Sequence, residues 1–552
     1  MPGPVSMELS PPPTGLEAEY ETLFTADSLL FLHELVSTFN EEVDQVLRLR
    51  VSRKAHLDLT GDLPSFLENT SHIRADPAWR VLPVPPRLQR RHVDIGDLAP
   101  CDTQRFIKAL QSPAQGIQVD FDDGNCPTYH NQIKGLHNVL KAVHNQFPKG
   151  REVPGPLFDF GLLMFHCGRT LSANQSGPFF YLSKVESFME ARLWNKIFVW
   201  CQQKLGLPLG SIKATVLIEN VLAAFEMEEI LYELREHSAG LNCGIWDYSA
   251  SFVNKFGHRQ AFLLPDRSKY VNMEKRFLRS YMELLVQTCH RRGALATGGM
   301  AAPLLPPDPL SDSHRRVLAA AGVDGFMVYD LSLIEPMQKL FRLNTEGDNQ
   351  LNQLRHDVTV TPDDLLSMPS GGVTLYGLKY NIAVGVLFIN AWLSGEGHFF
   401  YRGQVEDSAT AEISRSQVWQ WICHQTRLED DGRVVSRRLV TDLTEQLLVE
   451  LRAVRPFGRD NQRLLTAADM FLEVVLKRDF PEFITTYLNQ EHTFLSSQSS
   501  GLAKALATDM PQPKLMFSFS KKENTGALAF FFTAESSDLK LHILGRKCVM
   551  VM

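Results

Sequence analysis

Apolar residues recur at helical spacing over residues 29–49 (LLFLHELVSTFNEEVDQVLRL), and Ala26-Asp27-Ser28 in front of them offers N-cap chemistry, so the pattern predicts a helical N-terminal element. Over 75–86 the periodicity stops. Pro77, Pro83, Pro85 and Pro86 surround Trp79 there, which predicts an extended linker. Short β-rich apolar runs follow, at 116–121 (GIQVDF), 178–182 (PFFYL), 214–219 (ATVLIE), 241–246 (LNCGIW), 294–298 (ALATG) and 325–329 (GFMVY). Helical patterns such as 225–236 (FEMEEILYELRE) and 277–290 alternate with them, and buried strands alternating with helices make βα units and a parallel sheet. The units run to roughly 25 to 55 residues without a shared sequence period, which suits a (β/α)8 barrel better than a solenoid. A doubly wound sheet is the rival, but no GxGxxG stands at a strand-to-helix turn to give it a dinucleotide site. After Gly371 long helical patterns return at 377–393, 409–426, 436–454 and 464–477, which predicts a separate helical domain. From Ser496 onward the periodicity is poor. The expected divisions are therefore 1–85, 86–370, 371–495 and a tail at 496–552.

Composition narrows the class. With 552 residues the chain has room for several domains or for one large barrel with appendages. Its 44% hydrophobic and 22% charged residues are globular values, which excludes a disordered, collagen-like or coiled-coil chain. A formal charge of −7 argues against a nucleic-acid partner, because binding to phosphate needs concentrated positive charge. The eight cysteines are scattered without a CxxC pair, which disfavours a zinc ribbon or a secreted disulfide framework. The opening residues, with Glu8 and Pro11-Pro12-Pro13, do not form a secretory signal, and no apolar run approaches the roughly 20 residues that span a bilayer; 527–532 is only a short strand-like piece. A soluble intracellular protein without a membrane partner is expected.

Carboxylates at strand ends carry the candidate chemistry. Asp120, Asp122 and Asp123 follow one candidate strand, Glu219 ends another and Asp247 follows a third. In a parallel barrel the C-terminal strand ends share one mouth, so acids distant in sequence converge there. All-oxygen donors suit a hard cation such as Mg²⁺, whereas single strand-end acids elsewhere are solvated or cap helices. In the stretch 237–248 (HSAGLNCGIWDY), Gly240 and Gly244 bracket Asn242 and Cys243, permit close backbone approach, and leave N–H groups that could face an anion; a glycine-rich turn beside a buried Trp246 reads equally well. Cys243 reads as a buried thiol rather than a nucleophile. Cys289-His290 with Arg291 and Arg292 reads as a basic helix end. Asp407, ahead of a helical pattern, has the position of an N-terminal cap charge.

KATVLIE with AAFEMEEILYELRE, then HSAGLNCGIWDY, LPDR, TCHRRGALATGGMAA and VEDSATAEISRSQVWQWI, in this order, resemble malate synthase of the shorter, A-type class, over about 24–489. The resemblance implies a (β/α)8 TIM barrel with an N-terminal helical clasp and a C-terminal helical plug. It also implies an acyltransferase of the glyoxylate cycle, which condenses acetyl-CoA with glyoxylate and hydrolyses malyl-CoA to malate and CoA. By the same likeness Glu219 and Asp247 match Mg²⁺ ligands, and Asp407 the carboxylate that removes a methyl proton from acetyl-CoA. Backbone N–H groups around Gly244, Trp246 and Asp247 match a cradle for the glyoxylate carboxylate, and Asp122 and Asp123 an acidic pair behind the metal ligands.

Departures from the family pattern are specific. A strand ending in Arg-x-Arg-Gly, whose arginine stabilises the enolate, is expected before LFDFGLLMFH, yet 142–148 runs almost directly into 150–156 and Arg151 does not match it. A barrel strand and a catalytic cation are expected to be missing together, which should disrupt barrel closure. The second reading is therefore a catalytically impaired homologue or an incomplete isoform; a metal-dependent aldolase or malyl-CoA lyase fits less well, because Asp407 and its helix belong to the synthase pattern. Tyr329-Asp330 stands where relatives have His-Pro, and His398 where a cysteine often lies near CoA. Family members in eukaryotes point to the peroxisome, whereas the chain ends Met550-Val551-Met552 without the usual tripeptide, leaving the cytoplasm as the alternative.

Overall fold

Seven apolar strands, β1 (Val93–Leu98), β2 (Gly116–Val119), β3 (Phe179–Leu182), β4 (Lys213–Ile218), β5 (Ser238–Cys243), β6 (Ala296–Ala301) and β7 (Gly325–Val328), run parallel around a barrel. The structure is a computed structural model that describes residues 11–144, 156–301, 322–345, 347–453, 459–481, 483–491 and 548–551. Strands buried on both faces account for the near-continuous apolar runs. β7 pairs with β1, with Asp94 opposite Met327, so the sheet returns on itself.

Between β2 and β3 lies the expected gap, and it is filled. A short strand from the C-terminal end, β10 (Cys548–Val551), runs antiparallel there, with Met550 opposite Val119 of β2 and Phe180 of β3. This corrects the expectation of an open barrel: antiparallel pairing satisfies the two edges that a missing parallel strand would leave unpaired. Residues 145–155, including Arg151, and the strand-like piece at 527–532 lie outside the described residues.

Other differences are local. β1 has no counterpart among the sequence-based strands, because buried acids interrupt it; Asp94 is paired with Arg91 Nη2 at 2.5 Å. The helical pattern at 225–236 shortens to Met227–Glu233, with a separate short helix, Val221–Ala224, ahead of it. The N-terminal helix runs from Ala26–Thr60, longer than its apolar stripe, and its cap is Thr25, whose side chain accepts from Ser28 N, rather than Ala26-Asp27-Ser28. Gly61, with φ 75°, ends it in the left-handed conformation.

That helix clasps the outside of the barrel. Phe31 meets Phe165 at 5.6 Å and Trp200 at 5.4 Å between ring centroids. Arg50 donates to Glu190 Oε1 at 2.6 Å and to the Lys184 carbonyl at 2.5 Å, so the clasp reaches a residue at the barrel mouth. On the C-terminal side the apolar helix Leu375–Trp392 packs between Ser408–Cys423 and Arg459–Leu476. Gly385 makes this contact possible, since a Cβ there would lie 2.3 Å from the Phe471 ring. Helix Ser408–Cys423 in turn packs on the barrel helix Ile245–Phe256. A two-stranded hairpin, β8 (Phe399–Tyr401) and β9 (Gln404–Glu406), turns through Arg402-Gly403 with φ of 49° and 78°, the mirror-image turn that fits strand twist, and leads directly into Asp407. Among the described residues no helix is long and apolar enough to cross a membrane.

Candidate active site

Carboxylates from the ends of four strands and one from the helical region meet in a single cavity at the barrel mouth. Its lining includes Asp97, Asp123, Glu219, Trp246, Asp247 and Asp407. The topology makes this convergence, because the parallel strands deliver their C-terminal ends to one rim and the hairpin β8–β9 brings Asp407 over it.

Glu219 and Asp247 touch one another and converge on one cation, the Lys184 ammonium. Lys184 Nζ lies 2.6 Å from Asp247 Oδ2, 3.2 Å from Asp123 Oδ2 and 3.5 Å from Glu219 Oε2. Its backbone N–H also donates to Glu219 Oε1 at 2.5 Å, in a left-handed conformation with φ 56°. Burial favours the neutral amine, but Asp123, Asp247 and Glu219 outweigh it and hold Lys184 protonated well above the usual lysine range. Burial also pushes Glu219 and Asp123 well above the ordinary carboxylate range, with Lys184 opposing. Sequence reasoning passed over Lys184, whose only signal was a basic residue two positions past a predicted strand.

Asp122 stands behind this cluster, bonded by Ser183 Oγ at 3.1 Å, while Asp123 reaches the cavity and accepts from Ser408 Oγ. Gly244 lies so close to Glu219 that a Cβ would sit 3.0 Å from the Glu219 Cβ. Its N–H, expected to face an anion, instead donates to Tyr281 Oη at 3.0 Å. That expectation is corrected: Tyr281 reaches the strand end from the helix Arg276–Arg292 and takes the donor. Trp246 and Asp247 sit in the first turn of Ile245–Phe256, where backbone N–H groups have no partner within the helix. The Arg267 guanidinium lies 5.0 Å from the Trp246 ring centroid and donates to Ser414 Oγ at 3.0 Å, which locks barrel and helical region together at this rim.

Asp407 is a helix cap and a cavity residue at once. Its Oδ1 accepts from Thr410 N at 3.0 Å, its own N–H donates to Thr410 Oγ1 at 2.9 Å, and its carboxyl is in hydrogen-bond contact with Asp97. Asp97 went unnoticed in the sequence because β1 did. Asp120 accepts from the backbone N–H groups of Asp122 at 2.6 Å and Gly124 at 3.2 Å; burial and Asp122 nevertheless push it up to about 6.

The two departures from the family pattern touch each other: Tyr329 Oη lies 2.9 Å from His398 Nε2, under the Arg105 guanidinium at 3.7 Å. Cys243 is fully buried and burial pushes its thiol up to about 12, which fits an inert core thiol. His290 is held between the Gln353 carbonyl at 2.8 Å and Asp324 at 3.1 Å, at a helix end closed by Gly293.

Three family models match the chain: the malate synthase N-terminal domain over 14–72, the malate synthase TIM barrel domain over 132–368 and the malate synthase C-terminal region over 372–491. The malate synthase of Streptomyces clavuligerus is 39% identical, covering 84% of this chain and 95% of its own length. That of Myxococcus xanthus is 41% identical over 77% of this chain and 85% of its own. A glyoxysomal malate synthase of Gossypium hirsutum is 36% identical over 75% and 81% respectively. The alignment with the Streptomyces protein runs over 522 positions yet spans 84% of 552 residues here, so that relative carries several tens of residues without a counterpart in this chain. On identity and coverage together, the chain belongs to the malate synthase family.

Proposed function

We propose that this cavity carries the family's reaction: acetyl-CoA, glyoxylate and water give malate, free CoA and a proton. The observation that carries the reading is the convergence of Glu219, Asp247 and Asp407 on one cavity from separate parts of the chain. Asp407 is the base. A thioester methyl is weakly acidic, so a fixed carboxylate must take its proton as the enolate forms. The new carbon–carbon bond joins that methyl carbon to the glyoxylate aldehyde carbon, and hydrolysis of the thioester releases CoA. Held at the start of Ile245–Phe256, the N–H groups of Trp246 and Asp247 receive the glyoxylate carboxylate, as helix N-termini receive anions.

Glu219 and Asp247 would hold Mg²⁺, which when bound polarises the aldehyde oxygen. Their fit rests on the donor set: two oxygen donors in mutual contact and already drawn to a cation, which is how Mg²⁺ is commonly bound, by one or two carboxylates and its own water. Among the described residues no group of three or more His, Cys, Asp or Glu forms a larger metal cage. Asp122 stands behind these ligands, while Asp123, which faces the cavity, shares the Lys184 ammonium with them. A glyoxysome-type compartment is supported by the similarity to the glyoxysomal malate synthase of Gossypium hirsutum, and subcellular fractionation with a peroxisomal marker tests it.

Purified protein with glyoxylate, acetyl-CoA and Mg²⁺ should release free CoA thiol. Absence of release above background overturns the reading and restores the impaired homologue.

A further inference from the structure

Asp97 is 5% exposed, is the penultimate residue of β1, and holds a left-handed backbone with φ 52°, an unusual conformation for a residue other than glycine. Gly124 packs against it so tightly that a Cβ there would lie 2.7 Å from the Asp97 carbonyl oxygen. The strained position is thus pinned from the adjoining loop, and it directs the carboxyl at Asp407 and Asp120.

Three carboxyls in contact cannot all be ionised, and the hydrogen-bond donors around them decide which one keeps a proton. Asp120 has two backbone N–H donors. Asp407 accepts from the Thr410 N–H at the start of a sixteen-residue helix. Asp97 Oδ2 is buried, and no hydrogen-bond donor reaches it among the described residues. The other groups facing this corner are Asp123 and the Tyr329 phenol. Two cations lie near: Lys184 binds Asp123 and Asp247, and Arg105 lies over the Tyr329 ring and donates to the Tyr329 carbonyl through Nη2 at 2.6 Å, its Nε meeting no hydrogen-bond partner, Asp97 included, among the described residues. His398 is bonded to the Tyr329 hydroxyl.

We propose that Asp97 is a neutral carboxylic acid in the working enzyme, donating a hydrogen bond to Asp407, and so acts as a positioning residue that holds the base in place. Asp97 itself touches no reacting atom. The proposal rests on the reading of Asp407 as base, and it explains a buried acid that the reaction does not otherwise use. Loss of the Asp97 proton sets two carboxylates against each other and displaces Asp407, which gives turnover an alkaline limb.

Burial, with Asp407, Asp120 and Asp123, pushes Asp97 well above the ordinary carboxylate range. A raised pKa in the fold contributes stability that is complete below the unfolded value, about 3.9, and is lost as pH rises toward the folded value. Asp97→Asn keeps shape, hydrogen-bond donor and tolerance of the left-handed backbone but cannot ionise. Its melting temperature relative to wild type should therefore rise steadily from pH 5 to pH 8.5, and the alkaline limb of kcat should move upward or vanish. Asp97→Ala, which has no donor, should lower kcat at least tenfold with KM for acetyl-CoA little changed. Should Asp97→Asn fail to fold, Asp97→Gly, relaxed at this φ, carries the melting test. A pH-independent melting difference, or an unmoved alkaline limb, overturns the proposal. Melting reads the proton without turnover, so an inactive wild type defeats the synthase reading alone.

Discussion

Two sides of one barrel mouth solve the same electrostatic problem differently. On the β4–β5 side, Glu219, Asp247 and Asp123 surround the Lys184 ammonium, so buried negative charge is matched by a cation. On the β1–β2 side, Asp97, Asp120 and Asp407 are in contact with no cation bonded to them among the described residues, and backbone N–H groups plus a retained proton take its place. Dense carboxylates in a low-dielectric cavity need compensation either way. A side arranged around a cation suits a divalent metal and the carbonyl it polarises. The other side, arranged around protons, suits removal of a proton from carbon.

Removing the base should have the largest effect. Asp407→Asn keeps the cap geometry on Thr410 but cannot accept the methyl proton, so kcat should fall by about 10²- to 10⁴-fold. Mg²⁺-dependent glyoxylate binding, followed by calorimetry, should persist, because the cation side is untouched. Loss of both together would dissolve the distinction between the two sides.

Stripping the cation comes next. Lys184→Met leaves three buried carboxylates facing each other, and removing one partner of a buried ionic cluster costs about 3–5 kcal/mol. Metal-free protein should melt at a clearly lower temperature, and Mg²⁺ should restore more of the loss than it adds to wild type. Equal Mg²⁺ stabilisation of the two proteins would mean that the metal and the ammonium do not share this cluster.

The cation side was more legible in the sequence than the proton side, for a physical reason. Glu219 and Asp247 terminate apolar runs that a parallel sheet must bury, so periodicity alone carries them to one rim. Asp97 is set inside a strand whose acids break the apolar run, and its contact with Asp407 depends on a packing between barrel and helical region that no local pattern encodes. Lys184 is likewise directed by a backbone conformation and by Arg50 of the distant N-terminal helix. The shortage of one parallel strand among the described residues could be read from the abrupt join near Pro148, whereas its filling by Cys548–Val551 could not, since four residues in an aperiodic tail give no signal.

The smallest effect tests whether the proton side has been given the right acid. Tyr329 is the other ionisable group at that corner, but burial pushes its phenol up to about 12, so it keeps its proton where the enzyme works. His398 holds the Gly124 carbonyl through Nδ1 at 3.0 Å, which leaves Nε2 as the acceptor for the Tyr329 hydroxyl at 2.9 Å. Burial lowers the His398 pKa, so the neutral ring that needs this donor already prevails at the ordinary histidine value and at every pH above it. Tyr329→Phe should therefore cost about 1 kcal/mol of stability, read as a small drop in melting temperature near pH 7.5. It should leave the alkaline limb of kcat where it is in wild type. If Tyr329→Phe moves that limb and Asp97→Asn does not, the phenol is the titrating acid and Asp97 loses its place beside the base.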